Sequence, residues 1–133
     1  MIYTLIILSL LLVISFSIIS VNESQTRSAI ATDESVVAFF LAESGAEIML
    51  DRIYSNTYNA GALGNLYSGS CTDGLFTSTL STGTWTAAFY GTDGQQFTSC
   101  SDTSWRANVD AMKIDGNHSN TIRSIRMSIK PAV

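Results

Sequence analysis

The sequence has one proline, Pro131, one histidine, His118, two cysteines, and no glycine before Gly45. With no proline and a single glycine in the first 54 residues, nothing forces a helix to break there. With so few histidines and cysteines, a four-ligand zinc site lacks its ligands. Charge is missing altogether from residues 1–21, MIYTLIILSLLLVISFSIISV, and the first basic residue is Arg27. Such an opening has neither the basic n-region nor the small-residue cleavage site of a secretory signal peptide. No nucleophile, base and orienter stand in a recognisable pattern and no haem-attachment motif is present, so neither catalysis nor a cofactor is expected. His118, in a Gly-Asn-His-Ser-Asn stretch, is expected as an exposed turn residue.

What is present begins with that apolar run. At about 1.5 Å per helical residue it reaches roughly 30 Å, the thickness of a bilayer core. Two readings fit: a plain N-terminal membrane anchor, or a chain from which a leader has been removed. The rest of the 133 residues leave room for one modest domain. Residues 55–133 are rich in Ser, Thr, Gly and Asn, so an apolar handle joins a polar, turn-rich head. The division read from this is 1–25, an apolar helix half; 26–55, an amphipathic helix half packing on the head; and 56–133, a β-rich globular head.

Net charge is −4, with the signs separated along the chain. Glu23, Asp33, Glu34, Glu43, Glu47 and Asp51 come early, whereas Arg106, Lys113, Arg123, Arg126 and Lys130 come late. A subunit with this polarity can pair head to flank with copies of itself. The late basic residues are read as solvated or paired strand positions. They lack the interleaved aromatics that single-stranded nucleic acid requires, and no nucleic-acid partner is expected. Asn22-Glu23-Ser24 and Asn117-His118-Ser119 match the N-glycosylation sequon, a pattern short enough to arise by chance.

Cys71 and Cys100 are expected to form a disulfide in a head outside the cytoplasm, closing a loop of about 30 residues. Metal binding is the alternative, with no further cysteine and only His118 to support it.

In chain order, residues 1–54 read as one helix of roughly 80 Å, weakest at residues 15–24, where Ile, Val and Ser cluster and local unwinding is expected. Phe39, Ala42, Ala46, Met49, Leu50 and Ile53 form an apolar stripe suited to the sheet of the same chain. Ile30, Val37, Leu41 and Ile48 form a second stripe, with Glu43 and Glu47 beside it. Either loops of the head cover the second stripe, or it meets other subunits.

Past residue 55, turn residues end the helix. A short strand is read at residues 75–80 after a Thr-Asp-Gly turn signal at 72–74, another at 84–90, and a third at 96–100. From Trp105, alternation puts Trp105, Ala107, Val109 and Ala111 on one face, and a phase flip at Met112 and Ile114 suggests a bulge. Asp115-Gly116-Asn117 is read as a hairpin turn before a last strand at 121–130, with Ile125, Met127 and Ile129 inward.

The apolar first turns, the AFFLAESGAE segment at residues 38–47, and a two-cysteine antiparallel head together resemble a bacterial type IV pilin. The resemblance covers residues 1–54 and, less closely, the hairpin at 105–129. It implies an α+β fold, a long N-terminal helix packed on a small antiparallel sheet. It also implies a structural subunit of an extracellular filament, held in inner-membrane lipid before assembly and then packed against copies of itself in a helical array.

On this resemblance Met1 is the mature N-terminus, exposed by a leader peptidase and often methylated, and a pilus assembly machinery is a further partner. Met1, Thr4, Leu5, Leu8, Leu12 and Phe16 would lie in the filament core, and Ile30, Val37, Leu41, Ile48, Glu43 and Glu47 in subunit contacts. Most major pilins carry Glu at the fifth position, where this chain has Leu5. A minor pilin or type II secretion pseudopilin that primes assembly is therefore an alternative. Outside the family, the alternative is a single-pass membrane-anchored binding protein that does not polymerise.

Overall fold

The computed structural model describes residues 2–55, 61–67 and 71–129, apart from the side chains of Ile2 and Leu5. The fold is α+β: one long N-terminal helix and a five-stranded antiparallel sheet. Helix α1 covers Ile2–Tyr54, 53 residues. The unwinding expected at residues 15–24 does not occur. Ser15 Oγ donates to the Leu11 carbonyl at 2.8 Å and Ser17 Oγ to the Val13 carbonyl at 3.0 Å. Thr26 Oγ1 does the same to Asn22 at 2.9 Å. These hydroxyls bond one turn back along the helix, so they satisfy themselves without breaking its ladder.

The chain forms two compact units, Met1–Asp33 and Glu34–Val133. In the first, every described side chain is exposed. The second holds the sheet and the helix turns that pack on it.

Strands β1 (Cys71–Thr72), β2 (Leu75–Leu80), β3 (Gly83–Gly91), β4 (Val109–His118) and β5 (Thr121–Ser128) lie in sequence order, each antiparallel to the next. Thr72 pairs with Leu75 across the two-residue loop Asp73-Gly74, whose φ values are 51° and 73°. Paired positive φ angles are why Asp-Gly suits this hairpin. Strands at 75–80 and 84–90 are as expected from the sequence, the second one residue longer at each end.

Other expectations are corrected. Residues 96–100 form no strand; Gln96 makes one isolated bridge to Tyr90, and the Phe97 amide donates to the Phe89 carbonyl at 2.9 Å. Trp105–Asn108 is a short helical turn, α2, rather than strand. Asp102 Oδ1 accepts from the Ser104 amide at 2.7 Å and from its hydroxyl at 2.8 Å, curling the chain just before it. The bulge lies earlier than Met112: Tyr90 pairs with Ala111 and Gly91 with Val109, leaving Asp110 as the extra residue.

Asp115-Gly116-Asn117 is not a turn either. Strand β4 runs through it to His118, and the loop is Ser119-Asn120, with His118 paired to Thr121. Ile125, Met127 and Ile129 do point inward; β5 ends at Ser128, and Lys130 lies outside the described residues.

Gly116 serves a different purpose, for the backbone of β4 touches α1 there. A methyl group at this position would overlap the Ala38 carbonyl oxygen and come within 2.5 Å of the Ala42 nitrogen. On the helix, a methyl at Gly45 would lie 2.8 Å from the Trp85 ring. The helix face against the sheet is therefore small where it crosses, with Ala38, Leu41, Ala42, Ala46, Met49 and Ile53 all buried. Phe76, Trp85, Ala87, Phe89, Met112 and Ile114 meet it from the strands.

Adding a methyl with Gly116→Ala should destabilise the full chain by roughly 2–4 kcal/mol, the cost of overpacking against rigid backbone. Gly94→Ala, where a methyl meets only open space, should cost only its left-handed backbone strain, about 1–2 kcal/mol. Thermal unfolding of both variants in detergent micelles, followed by circular dichroism, checks the difference.

Candidate functional site

The residues expected to act in assembly are taken surface by surface. In the unit Met1–Asp33, Thr4 is exposed, as are Leu8 (63%), Leu12 (55%) and Phe16 (71%). Met1 and the side chain of Leu5 lie outside the described residues. Thirteen large hydrophobic side chains from Tyr3 to Val21 are more than half exposed. Covering each is worth about 1.5–3 kcal/mol, on the order of 20–40 kcal/mol together. No water-exposed surface carries that load, and by length and composition α1 is apolar enough to cross a membrane. Glu23 and Arg27, paired at 2.6 Å one turn apart, mark where the apolar run gives way to polar surface.

The second stripe does not behave as one surface. Ile30 is exposed and Val37 half-buried, but Leu41 is only 4% exposed and belongs to the head's own core. Its Cδ1 lies where a side chain on Gly83 would go. Ile48 is half-buried against the same core. Phe39, expected to face the sheet, is instead 47% exposed.

Glu43 and Glu47 are exposed, and the apolar residues beside them are Val36, Phe39 and Phe40. Sequence reasoning missed this trio as a surface. The signal was the spacing of Ala38, Ala42, Gly45 and Ala46, small residues that mark the face of closest approach and so turn both phenylalanines away from it.

The late basic residues disperse. The Arg106 Nη2 donates to the Ile53 carbonyl at 2.8 Å, closing the C-terminal end of α1, where a cation is favoured by the helix dipole. Arg123 Nε donates to Ser35 Oγ at 2.7 Å, and Thr121 Oγ1 to Glu34 Oε2 at 3.2 Å, so β5 clasps the helix at the start of the head. Arg126 stacks over the Tyr90 ring at 5.0 Å on the opposite sheet face. Lys113 pairs with Asp115 at 2.9 Å. His118 sits at the end of β4, not in a turn, with its Nδ1 hydrogen donated to the Thr82 carbonyl.

Cys71 and Cys100 form a disulfide and no cysteine is free, which removes the metal alternative. The bridge ties the short edge strand β1 to the connection between β3 and β4. The Cys100 carbonyl then accepts from the Gly64 amide at 2.7 Å and the Asp102 carbonyl from Leu63 at 2.8 Å. One covalent link thus holds three segments that have little regular structure.

A shallow hollow of about 260 Å³ lies by the start of that connection, but Asp93 Oδ1, its one carboxylate oxygen with a bond, is taken by the Gln95 amide. Among the described residues no group of three or more His, Cys, Asp or Glu could hold a metal ion. Compared with known proteins, the chain matches no family model, no curated protein and no solved structure.

Removing the bridge with Cys71→Ser and Cys100→Ser together should lower the head's stability by roughly 3–4 kcal/mol, the loop-closure entropy of a link this far apart in sequence. Urea unfolding in micelles, read from the fluorescence of buried Trp85 and Trp105, gives the value.

Proposed function

We propose that this chain is a structural subunit of an extracellular type IV pilus-like filament, assembling through its apolar N-terminal helix. The observation that carries this reading is the division of α1. Its first turns carry exposed apolar side chains that no part of the chain covers among the described residues, while its last turns are built into a disulfide-bonded head. Before assembly, inner-membrane lipid would cover the apolar half; afterwards, the same half of other copies would.

Lipid tails and leucine side chains are equally apolar, so that transfer has little hydrophobic drive of its own, and packing must decide it. The surroundings must also satisfy the polar groups, and Ser15 and Ser17 already do so within the helix. The pilus assembly machinery and leader peptidase that the resemblance implies belong to this proposal.

Leu5, where most major pilins have a carboxylate, favours a second reading in which the chain is a minor subunit that primes or caps the filament. A buried terminal amine without a charged partner is costly, and a subunit used once per filament bears that cost once.

Shearing cells and examining the released material by electron microscopy and mass spectrometry should find the chain in filaments. As a major subunit it should dominate the filament band; as a minor one it should be present at a small fraction of the principal protein. Recovery of the chain only in the membrane fraction, with none in sheared filaments, would overturn both readings and support a single-pass anchored protein.

A further inference from the structure

The two Asn-x-Ser sequons of the sequence fall in different structural settings. Asn22, Glu23 and Ser24 lie inside α1, next to the apolar run, with Glu23 paired to Arg27 and the Asn22 carbonyl accepting from Thr26. A helix turns residues two apart to opposite sides, about 200° around its axis. The Asn22 carboxamide and the Ser24 hydroxyl therefore cannot be met together from one side. Asn117, His118 and Ser119 instead leave β4 at its last pair and enter the two-residue loop Ser119-Asn120. An exposed strand end running into a loop is the setting in which a sequon can be read.

Alternation along β4 fixes the side that each residue takes. Gly116 lies against the helix and His118 donates to the Thr82 carbonyl, so Asn117 between them points to the opposite, open face of the sheet. Asn117 and Ser119 are both exposed. Asp115, on that same open face, is held by Lys113 and Ser124 and places a carboxylate two residues before the asparagine. Before Asn22 that place is taken by Ser20.

Directly across from Asn117 on β5 stands Ile122, and residues so paired have their Cβ atoms about 5 Å apart. Ile122 is 60% exposed, more than any other large apolar side chain of that edge strand.

We propose that Asn117 carries an N-linked glycan. The inference rests on the filament reading, which places the head outside the cytoplasm, where its disulfide also persists. In the transfer, Asn117 Nδ2 forms a bond to the anomeric carbon of a lipid-diphosphate-linked oligosaccharide. The bond from that carbon to the diphosphate oxygen breaks, the lipid diphosphate leaves with the electron pair, and Nδ2 gives up one proton.

The folded head accommodates the product, because the carboxamide points out of the open sheet face. The first sugar lies beside Ile122, where its C–H surface covers an aliphatic side chain otherwise in water. The bulky, polar remainder stands over the neighbouring edge strand and hinders its pairing with strands of other chains.

The test is peptide mass spectrometry on the full chain from the cells that make it, in sheared filaments and in membranes. Cleavage after Lys113 and Arg123 isolates residues 114–123, IDGNHSNTIR, which hold this sequon and no other. That peptide should carry a sugar mass, and electron-transfer fragmentation should place it on Asn117. Asn117→Gln should abolish the mass. So should Ser119→Gly, which removes the hydroxyl and suits the positive φ of 55° at that position. Asn22→Gln should leave it unchanged, and circular dichroism establishes that each variant folds.

Unmodified residues 114–123, a sugar placed on Ser119 or Thr121, or a mass that survives Ser119→Gly would overturn the inference; found in sheared filaments, any of these leaves the filament reading standing. A glycan on Asn117 of a chain recovered only from membranes would support the inference and overturn the filament.

Discussion

The head depends on one close approach, the backbone of β4 at Gly116 lying against the backbone of α1 at Ala38 and Ala42. A helix and a sheet normally stand apart by the thickness of two side-chain layers. Here a glycine on one side and alanines on the other remove most of both layers at the crossing. The larger side chains are then pushed to where the surfaces diverge: Trp85 beneath Gly45, Phe76 and Phe89 edge to face at 5.8 Å, and Trp105 tilted on Phe89 at 5.8 Å. Approach this tight has a cost, since the Trp85 Nε1 is buried with no hydrogen-bond partner among the described residues. An unmet donor of that kind costs about 1–3 kcal/mol, which a core holding this many aromatic contacts can absorb.

The same crossing decides what the helix shows to the outside. With Ala38, Ala42 and Ala46 inward, the 3.6-residue period carries Val36, Phe40, Glu43 and Glu47 to the far side. Leu41 falls at the margin, over Gly83, and becomes core. The exposed phenylalanines are therefore not packing failures; they follow from where the small residues are. Around this rigid centre the periphery is held by point attachments: the Cys71–Cys100 bridge at one edge, the Thr121 and Arg123 clasp at the other, and Arg106 on the end of α1.

Much of this was legible in the sequence, and the misreadings share a cause. Local patterns located the helix, β2, β3 and the inward face of β5, because alternation and the absence of breakers act over a few residues. Asp73-Gly74 and Asp115-Gly116 carry the same local turn signal, yet one is a turn with positive φ and the other lies mid-strand. What separates them is the helix lying on Gly116, a contact between residues more than seventy positions apart. Likewise the apolar count on the helix predicted two stripes, but an apolar count cannot tell a face that must be small from one that must be greasy. Trp105 read as strand because alternation continued through it, and Asp102 curled the chain first. The surfaces proposed for assembly were visible as composition, and their membership was set by tertiary packing.

In the proposed filament, the two halves of α1 contribute different things. The apolar run of the first half presents mainly apolar side chains, and its Ser15 and Ser17 hydroxyls bond back to the helix, so lipid and neighbouring helices suit it almost equally. Such a surface can be exchanged between the two environments with little change in free energy, which permits extraction from a membrane but cannot by itself choose a register. Register requires contacts that differ from one position to the next. On this chain such side chains lie in the head, where Glu43, Glu47 and Asp51 are exposed along the helix beside Val36, Phe39 and Phe40.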